Sequence, residues 1–278
     1  MSGEAAARPG ARQETRNGVA WPAGREQTFA PAPGAAPLLR MLAAQTAMEL
    51  RLSLRNGEQV LLTLLIPLLL TALLVAEPFV GEVEGRRVDF VVPGVLALAV
   101  TSAAFTGLAI GTGFERKYGV LKRLGATALP RSVLLLGKSA AVLCVELLQV
   151  ALIGGLGLAL GWRPRGSVLV VLVLVVAGTA AFAGLGLLMA GTLRAEATLA
   201  AANLAWFLLL FFGGVLFPLS KFPAGLADVL RYLPTAALSD GLRAVLRDGS
   251  GLPAQPTLTL LAWAVLALAV AAATFKWE

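Results

Sequence analysis

The feature that most constrains this chain is a succession of apolar runs, each close to the ~20 helical residues needed to cross a hydrocarbon core. They lie at Val60–Ala76, Phe90–Thr112, Ser139–Gly161, Ser167–Ala190, Ala197–Phe217 and Thr257–Phe275, and the first is the shortest. An open strand edge in lipid would leave backbone groups unpaired, so each run is expected to be a helix. With 58% hydrophobic and 14% charged residues in 278, the chain lies far from the globular average and leaves no large aqueous domain. The fold class read from the sequence is all-α integral membrane, with six transmembrane helices in one domain over 38–278.

The flanks have their own patterns. Residues 1–37, with "APAPGAAP", carry no continuous apolar core and lack the early hydrophobic region of a signal peptide, so they are expected to form a disordered cytoplasmic tail. From Leu38 to Gln59 the pattern becomes loosely helical, with Leu38, Met41, Met48 and Leu52 on one side and Arg40, Glu49 and Arg51 flanking them. That suits an interfacial helix leading into the membrane. Between the last two spans, Pro218, Pro223 and Pro234 punctuate a segment in which Leu226, Val229, Leu230 and Leu233 recur at helical spacing, followed by "ALSDGLRAVLRDG". Short re-entrant helices in the outer leaflet and a solvated outer cap both fit this pattern.

Loop charges set the orientation. Segment 113–138 holds Arg116, Lys117, Lys122, Arg123, Arg131 and Lys138 against Glu115 alone, whereas 77–89 is dominated by Glu77, Glu82, Glu84 and Asp89. The positive-inside rule places 113–138, and with it both termini, in the cytoplasm. Arg163 and Arg165 in the short turn after the third span favour the opposite orientation, but they are outnumbered. The net charge of +7 is read as this topology signal, not as a nucleic-acid face. Trp162, Phe217 and Trp277 fall at predicted span ends, where aromatic rings favour the interface.

Several chemistries are excluded. The chain has no histidine and one cysteine, Cys144, which removes His-based triads, His-rich zinc sites and any intrachain disulfide. No metal site and no catalytic residue is expected. "SVLLLGKS" ends like a P-loop, but Ser132 stands where the first glycine is required and apolar Val133 to Leu136 fill the turn. A membrane span follows where a phosphate-binding helix would be needed. Gly137-Lys138-Ser139 is therefore read as a membrane entry, with the lysine anchored at the cytoplasmic surface.

The charged run before it, "FERKYGVLKRLGATALPR", is a compact element in which Val120, Leu121 and Leu124 form an apolar edge. Pro93-Gly94 near the start of the second span, then Glu115-Arg116, Gly119, Leu121, Leu124, Pro130, Ser132 and Gly137-Lys138, resemble in order the pattern of the ABC-2 type exporter permeases, including the daunorubicin-resistance-type membrane subunits. The later segment with Pro218, Pro223, Pro234 and Arg243 resembles the family's outer segment, and the likeness runs from about Leu38 to the end. Leu129 departs from it, standing where the family often places a proline or a polar residue. The resemblance implies a permease in the plasma membrane that binds no cofactor itself and pairs with a cytoplasmic ABC ATPase holding ATP and magnesium. It further implies a second permease copy, as a homodimer or with a sibling chain, and a hydrophobic drug, antibiotic or lipid-like substrate. Carried over by the resemblance, the contacts to the ATPase would be Glu115, Arg116, Lys117, Gly119, Leu121, Lys122 and Arg123, together with the interfacial helix. Gly119 would permit close backbone approach there.

Within the membrane, Glu146 is the only acidic residue that this topology buries, and Gln149 lies three residues on along the same face. With Asn203 they are candidates for a polar substrate path. The structural alternative is an interhelical hydrogen bond from protonated Glu146 to Asn203, Thr101 or Ser102. Proton-coupled secondary transport through Glu146 and export of a polysaccharide or lipid are the competing functional readings. Gly107-x-x-x-Gly111 and Gly157-x-x-x-Gly161 are read as close-packing faces.

Overall fold

The computed structural model describes residues 36–76 and 85–274. Most of the predicted tail, part of loop 77–89 and Trp277 lie outside the described residues. Helix α1 (Leu38–Arg55) comes first. After Asn56, α2 (Gly57–Val60), a π-helical segment Leu61–Leu65 and α3 (Ile66–Ala76) run on as one apolar helix. Next, α4 (Arg87–Val100), a second π segment Thr101–Gly107 and α5 (Leu108–Lys117) form a continuous rod of 31 residues. Then follow α6 (Val120–Gly125), α7 (Arg131–Ala159), α8 (Val168–Thr192), α9 (Ala195–Phe212), α10 (Ala224–Leu230), α11 (Pro234–Leu246) and α12 (Ala254–Thr274). Among the described residues there is no strand.

Proline sets many of the helix starts. Pro37, Pro130 and Pro223 occupy the N-caps of α1, α7 and α10, and Pro234 opens α11. A fixed φ and a missing N–H cost nothing at a position whose amide would be unpaired anyway. Pro93 is different. It was expected to open the second span, yet it sits inside α4 because the helix already begins at Arg87.

Among the described residues five helices are long and apolar enough to cross a membrane: the α4–α5 rod, α7, α8, α9 and α12. Leu61–Ala76, the first of the predicted runs, is a shorter apolar helix. The rod is the centre of the bundle, with 83% of its apolar window inside the protein against 17% for α9 at the edge. Phe90, Val92, Leu96 and Val100 of the rod join Leu174, Val175 and Phe182 of α8 and Leu238 and Leu242 of α11 in the main core. Helix α12 lies along α8, where a methyl on Gly184 would come 2.9 Å from Ala267 Cβ. Small residues thus let these helices meet closely where no hydrophobic drive operates between them in lipid.

The outer segment separates into two unlike helices. Helix α11 is buried along its length against α4, α8 and α12, so a solvated cap does not describe it. Helix α10 buries Leu230 alone, while Leu226 and Val229 are exposed. Trp162, just past the end of α7, is buried, and it packs on Gly157 where the turn folds back on that helix. Of the glycine pairs, Gly157 makes that close contact, Gly161 sits in a left-handed turn (φ 85°), and Gly111 faces open space.

Candidate functional site

The end of the rod carries the charged run, and the fold gives each side chain a separate task. Arg116 Nη2 donates to the carbonyl of Leu193, just past the last turn of α8, and Lys117 pairs with Glu196 at the start of α9. Both placements follow helix electrostatics, with cations at a C-terminus and an anion at an N-terminus. Gly119 adopts φ 72°, the left-handed conformation that side-chain-bearing residues avoid, and so turns the chain from α5 into α6. A methyl there would meet nothing of this chain within 4 Å, so its role within the fold is the turn and not close approach. Leu121 is fully buried with Leu134, and Leu124, Leu129 and Leu135 pack around them. Val120, assigned to the same apolar edge, is 40% exposed at the first position of this short helix. Tyr118, Lys122 and Arg123 are exposed on α5–α6.

Lys138 does not sit where a snorkelling lysine would. It is buried, its Nζ 2.9 Å from Glu49 Oε1 of α1 and 2.6 Å from Glu115 Oε2 of α5. Two carboxylates from different helices replace the water that the membrane surface would have offered. Gln45 Nε2 donates to Glu49 Oε1 at 2.8 Å. A methyl on the adjacent Gly137 would come 2.6 Å from Gln45 Cγ, so α1 rests directly on that glycine. Sequence reading assigned Glu49 only to a helix flank. The available signal was the Gln45, Glu49 pair at i, i+4 on one side of the helix.

Deeper in the bundle, Glu146 and Gln149 share the buried face of α7 but reach different neighbours. Glu146 is fully buried and hydrogen-bonds through Oε2 to Thr179 of α8, not to Asn203, Thr101 or Ser102. Those hydroxyls are engaged elsewhere: Thr101 Oγ1 donates to Ala97 O at 2.8 Å, and Ser102 accepts from Trp206 Nε1 at 2.7 Å. Asn203 is exposed on α9, whereas Glu146 and Gln149 are buried. Gln149 Nε2 donates to Thr63 O at 2.8 Å, inside the first π segment. The residue four positions on is Pro67, which has no N–H to give the Thr63 carbonyl, and the glutamine supplies a donor there.

At the opposite end of the rod, Arg243 of α11 is buried. Its guanidinium stacks 3.8 Å from the centre of the Phe90 ring and has Phe90 O, Val215 O, Ser239 Oγ and Asp240 Oδ1 each at 3.4 Å. Burial pulls its pKa down to about 10 against the upward influence of Asp240, which leaves it cationic at neutral pH. Among the described residues no group of acidic or cysteine side chains could hold a metal ion.

Long apolar helices around a central rod, with polar groups bridging helix to helix, define a multi-pass α-helical membrane protein. Residues 79–275 match the family model described as ABC-2 family transporter protein, and the chain belongs to that family. It is therefore a membrane component of an ABC transporter, a transport subunit and not itself a catalyst, in a family that works with an ATPase partner. No curated protein matches the chain.

Proposed function

We propose that this chain is the six-span permease of an ATP-driven exporter, moving a hydrophobic drug, antibiotic or lipid-like molecule as a homodimer in the plasma membrane. ATP and magnesium are held by a separate cytoplasmic ABC ATPase. Helices α2 and α3 make the sixth crossing, α10 and α11 lie at the outer leaflet, and both termini are cytoplasmic. The observation that carries the reading is the build of the α5–α6 corner. Glu115, Arg116 and Lys117 brace it against α7, α8 and α9, Tyr118 is exposed at the turn, and Lys122 and Arg123 are displayed on a short helix anchored by Leu121. A braced, basic, exposed corner suits force transfer from a soluble partner, with charge setting register more than affinity.

The division of labour fixes the variants. Glu115→Ala or Arg116→Glu would disturb bracing as well as docking, so the exposed residues are the cleaner probes. Arg123→Glu combined with Tyr118→Ala should strip the ATPase from the purified permease while leaving membrane insertion and yield unchanged. Retention of the ATPase by that double variant at the wild-type level would refute docking at α6.

A further inference from the structure

The Gly137-Lys138 pair has a role that neither a P-loop nor a surface anchor describes. Lys138 of α7 ion-pairs simultaneously with α1, through Glu49, and with the end of the rod, through Glu115. Gly137 permits it. With any larger side chain at 137, α1 would be pushed outward at Gln45, one turn before Glu49. Lys138 and Glu49 are enclosed, with side-chain exposures of 4% and 14%, Glu115 is 30% exposed, and Gln45 adds a further hydrogen bond to Glu49. A buried pair of this kind is weak evidence of net stability, but losing one partner leaves an uncompensated charge. Its value is in fixing one arrangement of parts.

We infer that Lys138 is a positioning residue that locks α1 and the α5–α6 corner into a single unit, so that both present one fixed surface to the ATPase. The inference rests on the reading that the ATPase docks at this corner. Without the lysine, Glu49 and Glu115 face each other as like charges and α1 comes away from α7. With arginine the clamp persists, because a guanidinium carries enough donors for both carboxylates. Glu49→Gln is the selective variant. It leaves Lys138 paired with Glu115 and frees α1 alone.

Two measurements on the full-length chain decide it. In a Cys144→Ser background, spin labels at Leu52→Cys on α1 and Ala126→Cys after α6 report the separation of the two elements in lipid nanodiscs. A single narrow distance distribution is expected for the parent and for Lys138→Arg. Lys138→Met, Glu49→Gln and Gly137→Leu should each lose that narrow population and gain a broad, longer one. If Glu49→Gln and Lys138→Met keep the narrow distribution, there is no clamp and the inference fails. The second measurement is the amount of ATPase that co-purifies with the unlabelled variants. Loss with Lys138→Met and Glu49→Gln and recovery with Lys138→Arg is the expected pattern. Undiminished ATPase with a broadened distance would show that α1 and α6 need not act as one unit. A wild-type chain that brings down no ATPase would refute the proposed function itself, and the distance data would still decide the clamp.

Discussion

Glu146 is hydrogen-bonded to the Thr179 side chain, and none of the ion pairs given for the described residues includes it. A lone carboxylate in apolar surroundings is the costly state, because nothing offsets its lost hydration. The position therefore asks for a neutral hydrogen-bonding group of glutamate's shape, which glutamine also supplies. Glu146→Gln should leave the unfolding temperature in detergent close to that of the parent, whereas Glu146→Ala loses the α7–α8 bond and its packing. Truncating a buried hydrogen-bonded side chain costs about 1–3 kcal/mol, so a clear drop in thermal stability is expected for alanine alone. Equal melting of the two variants would remove the structural role, and a changed preference for cationic over neutral substrates in Glu146→Gln would return Glu146 to the transport path. Sequence reading found the residue, because a single acid in an apolar run is conspicuous. It could not find the partner. The rod, α8 and α9 all offered hydroxyl or amide groups, and only packing selects Thr179.

At the level of the helix, the two π segments are the features that sequence could not reveal, since no residue type marks a one-residue slip in register. Their supports are visible only in the fold. Gln149 covers the carbonyl at Thr63, so Gln149→Leu should expose an unpaired backbone group inside the bundle. That loss is expected to cost about 1–3 kcal/mol, read as a lowered unfolding temperature, and an unchanged temperature would deny the glutamine this role. The second π segment leans on α8, where a methyl at Gly186 would stand 2.8 Å from Phe105 O and 3.1 Å from Ala104 O. Backbone carbonyls cannot swing aside as a flexible side chain can. Gly186→Ala should therefore separate the rod from α8 and destabilise by about 1–3 kcal/mol, the usual penalty of overpacking. An alanine variant as stable as the parent would mean that the helices give way freely there. The apolar runs themselves were legible, and five of them correspond to long helices, because length and hydropathy are set locally. Helix ends were less so. The rod runs on through Lys117 and α7 starts at Arg131, since the charged residues at both ends find partners on neighbouring helices and need not form a loop.

For the whole molecule the open quantity is parity. Five crossings alone would put α1 and the end of α12 on opposite sides of the membrane, and a sixth brings them to the same side. Everything turns on the first apolar helix. From Leu61 to Ala76 it spans about 24 Å at 1.5 Å per residue, short of a hydrocarbon core of about 30 Å. Counted from Gly57, the continuous helix reaches about 30 Å and can cross. Its outer end leads into 77–89, whose acidic residues outnumber its basic ones, so that the loop lacks the excess of positive charge that would hold it in the cytoplasm. In intact cells, with Cys144→Ser as background, single cysteines at Leu39, Ala126, Ser250 and Thr274 distinguish the two cases. Six crossings with the basic corner inside predict that a membrane-impermeant maleimide labels Ser250→Cys alone, and that Leu39→Cys, Ala126→Cys and Thr274→Cys react only after the cells are opened. Labelling of Leu39→Cys from outside, with Ala126→Cys still protected, would reduce the crossings to five and carry α1 away from the cytoplasmic ATPase it is proposed to meet.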